Sequence, residues 1–487
     1  MDNHFHSGFD WIIKFKDSVG QMNSALSILY KDNMREIQEK YDAIVVGLGI
    51  TGMSCVRYLS RNLLKLAVVD SRNEPPQFKT LRSEFPEIPV FLGEFDQNLF
   101  SSTEKLIVSP GVPLSNPVIQ KVMEKGVEIS GDIELFLEKA KAPVIAITGS
   151  NGKSTVAMLI SEMISASGKK VLLGGNIGTP ALSLLEFDVP DYYVLELSSF
   201  QLESTQHINA IVSSVLNISE DHMDRYKNFQ EYLLAKKKIF MGDGIKVINL
   251  DDAVIKSMVN IDDNIIYFTQ NEPDGGTFGI RIIDDVDWIC FGNQKIISVS
   301  EIGIKGRHNI LNSLASLALG HAIGLEFLHM AEALKQYKGL PHRCEFIANI
   351  DGVDWVNDSK GTNPGATCAA VEGLAKGENI VLIAGGDAKE ADLSSLGLSL
   401  KGRVHTAILI GKDALKLEQV ISDNCTVIHA ISLEAAVKTA KKLSSSGDTV
   451  LLSPACSSLD MFTDYTERGE EFIRNVKQLE KNGGTEL

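Results

Sequence analysis

Short apolar runs recur along this chain, and most end on a cluster of glycine, serine, asparagine or acidic residues. Residues 43–46, 66–69 and 106–108 form one series, 143–147, 171–173, 192–195 and 210–216 a second, and 355–357, 379–384, 407–410 and 449–452 a third. A continuous apolar run of this length, bounded by turn residues, marks a strand covered on both faces, as in a parallel sheet. Between the runs apolar residues recur near the helical period, as at Met53, Val56 and Leu59. Alternation of the two predicts an α/β fold of three domains, each with a mostly parallel sheet. The expected boundaries are 41–131 for a Rossmann-like domain, 132–339 for a central phosphate-loop domain and 340–487 for a C-terminal Rossmann-like domain. Strand-rich text is expected at 265–302, and helices at 228–240 and 310–323.

Residues 1–40 are an N-terminal extension. Val19, Met22, Leu26 and Leu29 share one helical face after a start containing His4 and His6. A natural extension, a docking appendage and an upstream start codon all remain open readings. The tail from Glu480 is expected to fray.

Open parallel sheets place their ligands beyond the C-terminal ends of the strands, so the polar clusters there are the candidate sites. The run at 143–147 leads into T-G-S-N-G-K-S-T at 148–155, followed by the start of a helix. Such a loop turns backbone N–H groups toward one point at a helix N-terminus, whose dipole favours anions. Lys153 then reaches the outer phosphates, and the hydroxyl of Ser154 or Thr155 holds Mg²⁺. The loop departs from the standard pattern only in carrying Ile147 where the first glycine is expected. It predicts a nucleotide triphosphate site built on Gly149, Ser150, Asn151, Gly152, Lys153, Ser154 and Thr155.

In the first domain, Gly47-Leu48-Gly49-Ile50-Thr51-Gly52 opens a helix, and Asp70 closes the next strand eighteen residues beyond Gly52. That spacing fits a dinucleotide or diphosphate ligand and does not by itself establish a nicotinamide. Glu196, directly after a strand, is placed as a second magnesium ligand, with a solvated strand-end glutamate as the alternative. Tyr232, Lys236 and Ile239 fall on one helical stripe, so Lys236 alone of Lys236, Lys237 and Lys238 shares the apolar side. Asn309, at a helix start, is either a cap or a base-reading amide.

A length of 487 residues fits three domains of about 150 each. The net charge of −16 argues against a nucleic-acid partner. Six cysteines without a C-x-x-C pair favour a reducing compartment over a zinc cluster or disulfide framework. No run approaches the roughly 18 apolar residues that span a bilayer. A cytoplasmic protein without membrane insertion is expected. A GTPase is disfavoured because no guanine-reading N-K-x-D stands apart from the phosphate loop, and a dehydrogenase would leave the second domain unemployed.

The loop at 148–155 resembles the signature of the Mur ligase family, the cytoplasmic peptide ligases of bacterial cell-wall synthesis. L-E-L-S-S-F-Q at 195–201, E-D-H-M-D-R at 220–225, G-L-P-H-R at 339–343, N-D-S-K at 357–360 and S-P-A-C at 453–456 carry the same resemblance, which runs from about residue 41 to about 478. It implies ATP-driven amide formation with ATP and Mg²⁺. On that resemblance the carboxylate of UDP-N-acetylmuramoyl-L-alanine would be converted to an acyl phosphate for the D-glutamate amine to capture. By resemblance, Glu196 and His222 serve magnesium, and Lys236 is carbamylated by CO₂ to become a further anionic ligand, with Lys237 as the competing assignment. Asn309, Arg343 and Asp358 are implied for adenine, phosphates and ribose. Thr362, Lys389, Ser458, Leu459 and Tyr465 are implied for D-glutamate, although the family more often has phenylalanine at the position of Tyr465. Ile50, Thr51, Asp70, Ser71, Arg72 and Asn176 are implied for the UDP substrate. Lys360 is placed at the acceptor or the phosphate site. A monomer is expected. A relative that adds a diamino acid would show D-N-P-R, and folylpolyglutamate synthetase would lack the first domain. A non-catalytic UDP-sugar sensor is the alternative from another class.

Overall fold

The computed structural model describes residues 40–62, 64–223, 225–260, 263–304, 306–389 and 391–483. The predicted helical face at 19–29, His4 and His6, and the tail beyond residue 483 lie outside the described residues. The chain divides into two compact units between Leu135 and Phe136.

In the first unit, β1 (Ala43–Val46), β2 (Leu66–Asp70), β3 (Val90–Leu92), β4 (Lys105–Val108) and β5 (Glu128–Ser130) form a parallel sheet in the order β3-β2-β1-β4-β5. Every residue of β1 and β2 is buried, as uninterrupted apolar runs require when both faces are covered. Ile44, Val46, Ala67, Val69, Leu106 and Val108 pack with Phe100, Ile119 and Val122. The order reverses between β1 and β4, and the crevice at their C-terminal ends is where such a sheet takes a ligand.

The second unit holds two sheets. The first comprises β6 (Val144–Thr148), β7 (Val171–Gly175), β8 (Tyr192–Glu196), β9 (Val212–Val215), β10 (Ile245–Asn249), β11 (Ile265–Phe268), β12 (Thr277–Ile283), β13 (Val286–Phe291) and β14 (Gln294–Ser298). Their order is β14-β13-β12-β11-β10-β9-β6-β8-β7. It is parallel from β7 through β12, and β13 and β14 add antiparallel strands at one edge. β6 therefore lies between β8 and β9, which brings the ends of three strands to the start of the helix Lys153–Ala166. That helix buries Val156, Leu159, Ile160 and Met163 against Leu314, Leu317 and Leu334.

The second sheet comprises β15 (Glu345–Ile350), β16 (Val353–Asn357), β17 (Ile380–Gly385), β18 (Val404–Ile410), β19 (Thr426–His429) and β20 (Thr449–Leu452), ordered β15-β16-β20-β17-β18-β19. Only β15 runs antiparallel. β20, last in sequence, is central, so the ends of β16, β17 and β20 converge. The helix expected at 310–323 runs instead over Arg307–Ala322 with Gly306 as its N-cap. Asn309 therefore lies within the first turn and is not the cap.

Candidate active site

The phosphate loop forms from its own sequence and is then braced from β9. Gly152 caps the helix Lys153–Ala166 at φ +81°, and a Cβ there would stand 2.4 Å from Asn312 Oδ1. Conformation and space both demand glycine at that position. Asn217, just beyond β9, accepts from Asn151 N at 2.8 Å and donates Nδ2 to Asn151 O at 2.9 Å. Ser150 Oγ accepts from Ser219 N at 2.9 Å and lies 2.9 Å from the Tyr232 hydroxyl. The N–H groups of the first helical turn have no intrahelical partner and form an anion seat.

Around that seat the charged groups are interlocked. Lys153 Nζ donates to the carbonyls of Gly149 (3.0 Å) and Ser150 (2.9 Å). Ser154 Oγ donates to Glu196 Oε2 at 2.6 Å, and Asn176 Nδ2 to Glu196 Oε1 at 2.9 Å. Arg343 Nη2 reaches Ser154 Oγ at 2.6 Å. Burial alone would raise the Glu196 carboxyl, but the Lys153 ammonium, the bonds from Ser154 and Asn176, and Arg343 outweigh it and hold it below the usual range. Glu196 is thus an ionised acceptor. A capping box fixes the turn behind it, with Ser198 Oγ accepting from Gln201 N and Ser198 N donating to Gln201 Oε1. Such a cap contributes about 1 kcal/mol.

Lys236 sits on the buried side of the helix Phe229–Lys237, and Lys237 is exposed. With only 2% of its surface accessible, Lys236 donates Nζ to Gly149 O at 2.7 Å and lies 4.9 Å from the centre of the Tyr232 ring. Burial first, and the neighbouring Lys153 ammonium second, push its pKa well below the ordinary lysine value. His222 has φ +58°, lies against Phe200 with ring centres 4.7 Å apart and planes inclined at 58°, and carries Nε2 3.6 Å from Asp221 Oδ2.

Two cavities meet at the loop. The smaller, of about 320 Å³, is walled by Leu216, Phe268 and Leu311 and by the polar groups of Asn309, Asn312 and Asp358. The mixture suits a nucleoside, with apolar area for a base and a few amides and a carboxylate to orient it. Burial pushes the Asp358 carboxyl up to about 6 against the hydrogen bonds from Ser453 Oγ (2.7 Å) and Cys344 N (3.2 Å). The larger cavity, of about 760 Å³, collects Lys153, Ser154, Asn176, Glu196, His222 and Lys236 with Thr362, Lys389 and Tyr465. Arg343 and Lys360 line both. Lys360 Nζ stands 3.7 Å from the centre of the Tyr465 ring, and burial first, then Arg343 and Lys153, lower its pKa to about 8. Among the described residues, Ser458 is buried and Leu459 exposed, and neither lines this cavity.

The first unit's candidate site is built separately. A Cβ on Gly52 would stand 1.9 Å from Gly47 O, so the loop closes tightly on itself. Asp70 Oδ2 accepts from Leu48 N at 2.7 Å and from Arg72 Nη2 at 2.7 Å, and Oδ1 accepts from Arg72 N and Nε, both at 2.9 Å. The carboxylate thus ties the glycine loop to Arg72, whose guanidinium stays half-exposed; Ile50 and Ser71 are exposed and Thr51 is half-buried.

Sequence reasoning missed Arg468. It lies on the helix Tyr465–Gly483 in one buried stripe with Phe472 and Val476, the signal that singled out Lys236. Its guanidinium donates to Ser359 Oγ (3.1 Å), Ser359 O (2.9 Å), Cys456 O (3.3 Å) and Gly385 O (3.4 Å). One side chain thereby pins the loops leaving β16, β17 and β20. The bracing of Asn151 by Asn217 had no sequence signal, because the partners are 66 residues apart.

Among the described residues, three mostly parallel sheets, an anion seat with an ionised carboxylate beside it and two adjoining cavities suit an ATP-dependent ligase rather than a dehydrogenase. The family described as Mur ligase MurD-like, N-terminal domain, matches residues 41–131. The Mur ligase middle domain matches 147–320, and the Mur ligase glutamate ligase domain matches 342–456. The UDP-N-acetylmuramoylalanine–D-glutamate ligase of Marinobacter nauticus is 48% identical over 90% of this chain and 98% of its own length. The enzyme of that name from Pseudomonas aeruginosa is 46% identical over 93% and 100%. Among solved structures, a pseudomurein peptide ligase type C from Methanothermus fervidus shares the fold at a TM-score of 0.58 and 20% identity, covering 90% of this chain and 100% of its own. The MurF ligase from Thermotoga maritima in complex with ADP does so at 0.57 and 18%, covering 91% and 96%. The chain belongs to the Mur ligase family, whose members are ATP-dependent ligases.

Proposed function

We propose that the chain joins D-glutamate to UDP-N-acetylmuramoyl-L-alanine at the expense of ATP, a step in making the peptidoglycan precursor. The observation that carries the reading is the gathering of Lys153, Ser154, Glu196 and Arg343 on the larger cavity, with Arg343 also lining the smaller, in a chain whose curated relatives bear that activity in their names. The nucleoside of ATP occupies the smaller cavity near Asn309 and Asp358, and its phosphates lie on the loop at 149–155. The alanine carboxylate oxygen attacks the γ-phosphorus as the bond to ADP breaks, giving an acyl phosphate. The D-glutamate amine adds to the acyl carbon, and the tetrahedral intermediate loses phosphate and a proton to give the amide. Lys153 and Arg343 meet the charge on the transferring phosphoryl group, and enclosure positions three substrates that rarely meet in solution. Thr362, Lys389 and Tyr465 receive the amino acid in the larger cavity; Ser458 and Leu459, implied by the resemblance, lie outside its lining. Ile50, Thr51, Ser71 and Arg72 receive UDP.

The donor set beside the loop fits Mg²⁺. Ser154 offers a hydroxyl and Glu196 an ionised carboxylate, both hard oxygen ligands. Among the described residues no three His, Cys, Asp or Glu side chains form a metal-holding group, so Ser154 and Glu196 would hold the ion with phosphate oxygens and water as the further ligands that Mg²⁺ prefers. His222 and Lys236, the latter as its carbamate, are assigned to the same region. When bound, the ion neutralises charge between the outer phosphates.

Among the described residues no helix is long and apolar enough to cross a membrane. The reading places the protein in the cytoplasm as a monomer, where ATP is abundant. Phosphate release by the purified chain, assayed with each substrate omitted in turn, tests it. Release should require UDP-N-acetylmuramoyl-L-alanine and D-glutamate together, and Lys153→Ala should abolish it. Binding of ATP without turnover would support the sensor alternative, and preference for another amino acid would point to a different member of the family.

A further inference from the structure

Lys389 owes its place on the larger cavity to a loop tied to the ends of neighbouring strands. It has φ +49°, a conformation that disfavours an ordinary side chain, and lies four residues beyond Gly385, the last residue of β17. The supports come from other strand ends. Asp413, buried just after β18, accepts the Ala388 N–H on Oδ2 at 2.8 Å, and its own N–H donates to Gly386 O at 3.0 Å. Its Oδ1 is paired with Lys416 at 2.9 Å. Lys412 Nζ donates to Asp387 Oδ2 at 2.9 Å, and Asp387 Oδ1 in turn accepts the N–H of Lys389 at 3.0 Å. Asp387 also pairs in both directions with the backbone of Ser457, at 3.0 and 2.8 Å.

We infer that Asp413, seconded by Lys412, is a positioning residue for amino-acid binding: its carboxylate anchors the 386–388 loop so that Lys389 meets the anionic amino acid. Neither Asp413 nor Lys412 lines the cavity, so any effect on that substrate passes through the loop. The inference rests on the reading of Lys389 as an amino-acid contact. Asp413→Ala leaves a buried backbone N–H without its acceptor, a change that releases the loop while the phosphate loop, on another sheet, keeps its bracing.

The test is steady-state kinetics on the full chain, varying ATP, UDP-N-acetylmuramoyl-L-alanine and D-glutamate separately. Asp413→Ala should raise KM for D-glutamate about tenfold with little change in kcat or in KM for ATP, the loss expected of one strong hydrogen bond. Asp413→Asn, which keeps an oxygen for the Ala388 N–H, should recover most of it. Lys412→Met, at an exposed site that spares the core, should raise the same KM about threefold, an exposed pair contributing less. The double variant Asp413→Ala with Lys389→Ala should be no worse than Lys389→Ala alone. Equal changes in all three KM values, or multiplied effects in the double variant, overturn the inference. An effect at Lys389 with none at Asp413 or Lys412 overturns it while sparing the site reading. No effect at Lys389 overturns both.

Discussion

Arg343 Nη2 lies 2.6 Å from Ser154 Oγ, although the two are 189 residues apart, Arg343 in the turn before β15 and Ser154 in the helix that follows β6. The same hydroxyl donates to Glu196 Oε2 at 2.6 Å. One serine therefore couples a cation from the turn before β15 to an anion at the end of β8. Arg343→Met should lower kcat by about 10²–10³-fold, the usual cost of removing a preorganised donor to transition-state charge. Arg343→Lys should retain more activity, since the charge survives and only the forked geometry is lost. Single-turnover phosphate release is the measurement, and unchanged rates in both variants would remove Arg343 from the phosphoryl site.

Lys236→Ala should nearly abolish turnover, because a buried group facing the phosphate loop has no substitute. Short carboxylic acids should restore part of the activity by filling the vacated space with an anion, which a role as a simple ammonium would not allow. Lys237→Ala, at an exposed position, should be close to wild type. Rescue confined to Lys237→Ala would transfer the assignment by one residue.

Asp358 should cost stability where it serves function. The folded protein binds its proton more tightly than the unfolded chain does, at about 6 against 3.8. Its stabilising contribution is therefore present in full below about pH 4 and lost as pH rises through about 6. Asp358→Asn should be more stable than wild type at pH 7.5 by about 2–3 kcal/mol, with the difference closing near pH 4, while ATP binds more weakly. Ser453 Oγ is 3.0 Å from Thr367 Oγ1, so it can turn its proton there and accept from the new amide. Urea melts at the two pH values decide it; a variant less stable at pH 7.5 would contradict the burial argument.

Lys360, at the junction of the cavities with its pKa lowered to about 8, should impose a falling limb on kcat/KM for ATP. That parameter reports the free enzyme, and the ammonium is lost as pH rises through about 8. Lys360→Arg should carry the limb upward beyond the measured range. A limb left in place by that substitution would assign it to another group.

The chain's local patterns determined a great deal. Apolar runs ending in polar clusters mark strands buried on both faces, and β1, β2, β6, β8, β17 and β20 formed where those runs lie because burial of such segments leaves few alternatives. The loop at 148–155 was legible because its glycines, lysine and hydroxyls act on their immediate neighbours. The stripe of Tyr232, Lys236 and Ile239 was legible because helical period is local. Tertiary structure decided what depends on partners far apart in the chain. Strand order put β6 between β8 and β9, and so put Glu196 and Asn217 beside the phosphate loop. It brought Arg343 onto Ser154 and set Arg468 among the ends of β16, β17 and β20. It drew Asn176 to Glu196 and left Leu459 exposed. Hydrogen bonds and charge act over a few ångströms, and sequence spacing says nothing of which distant segments the packed core will bring within that reach.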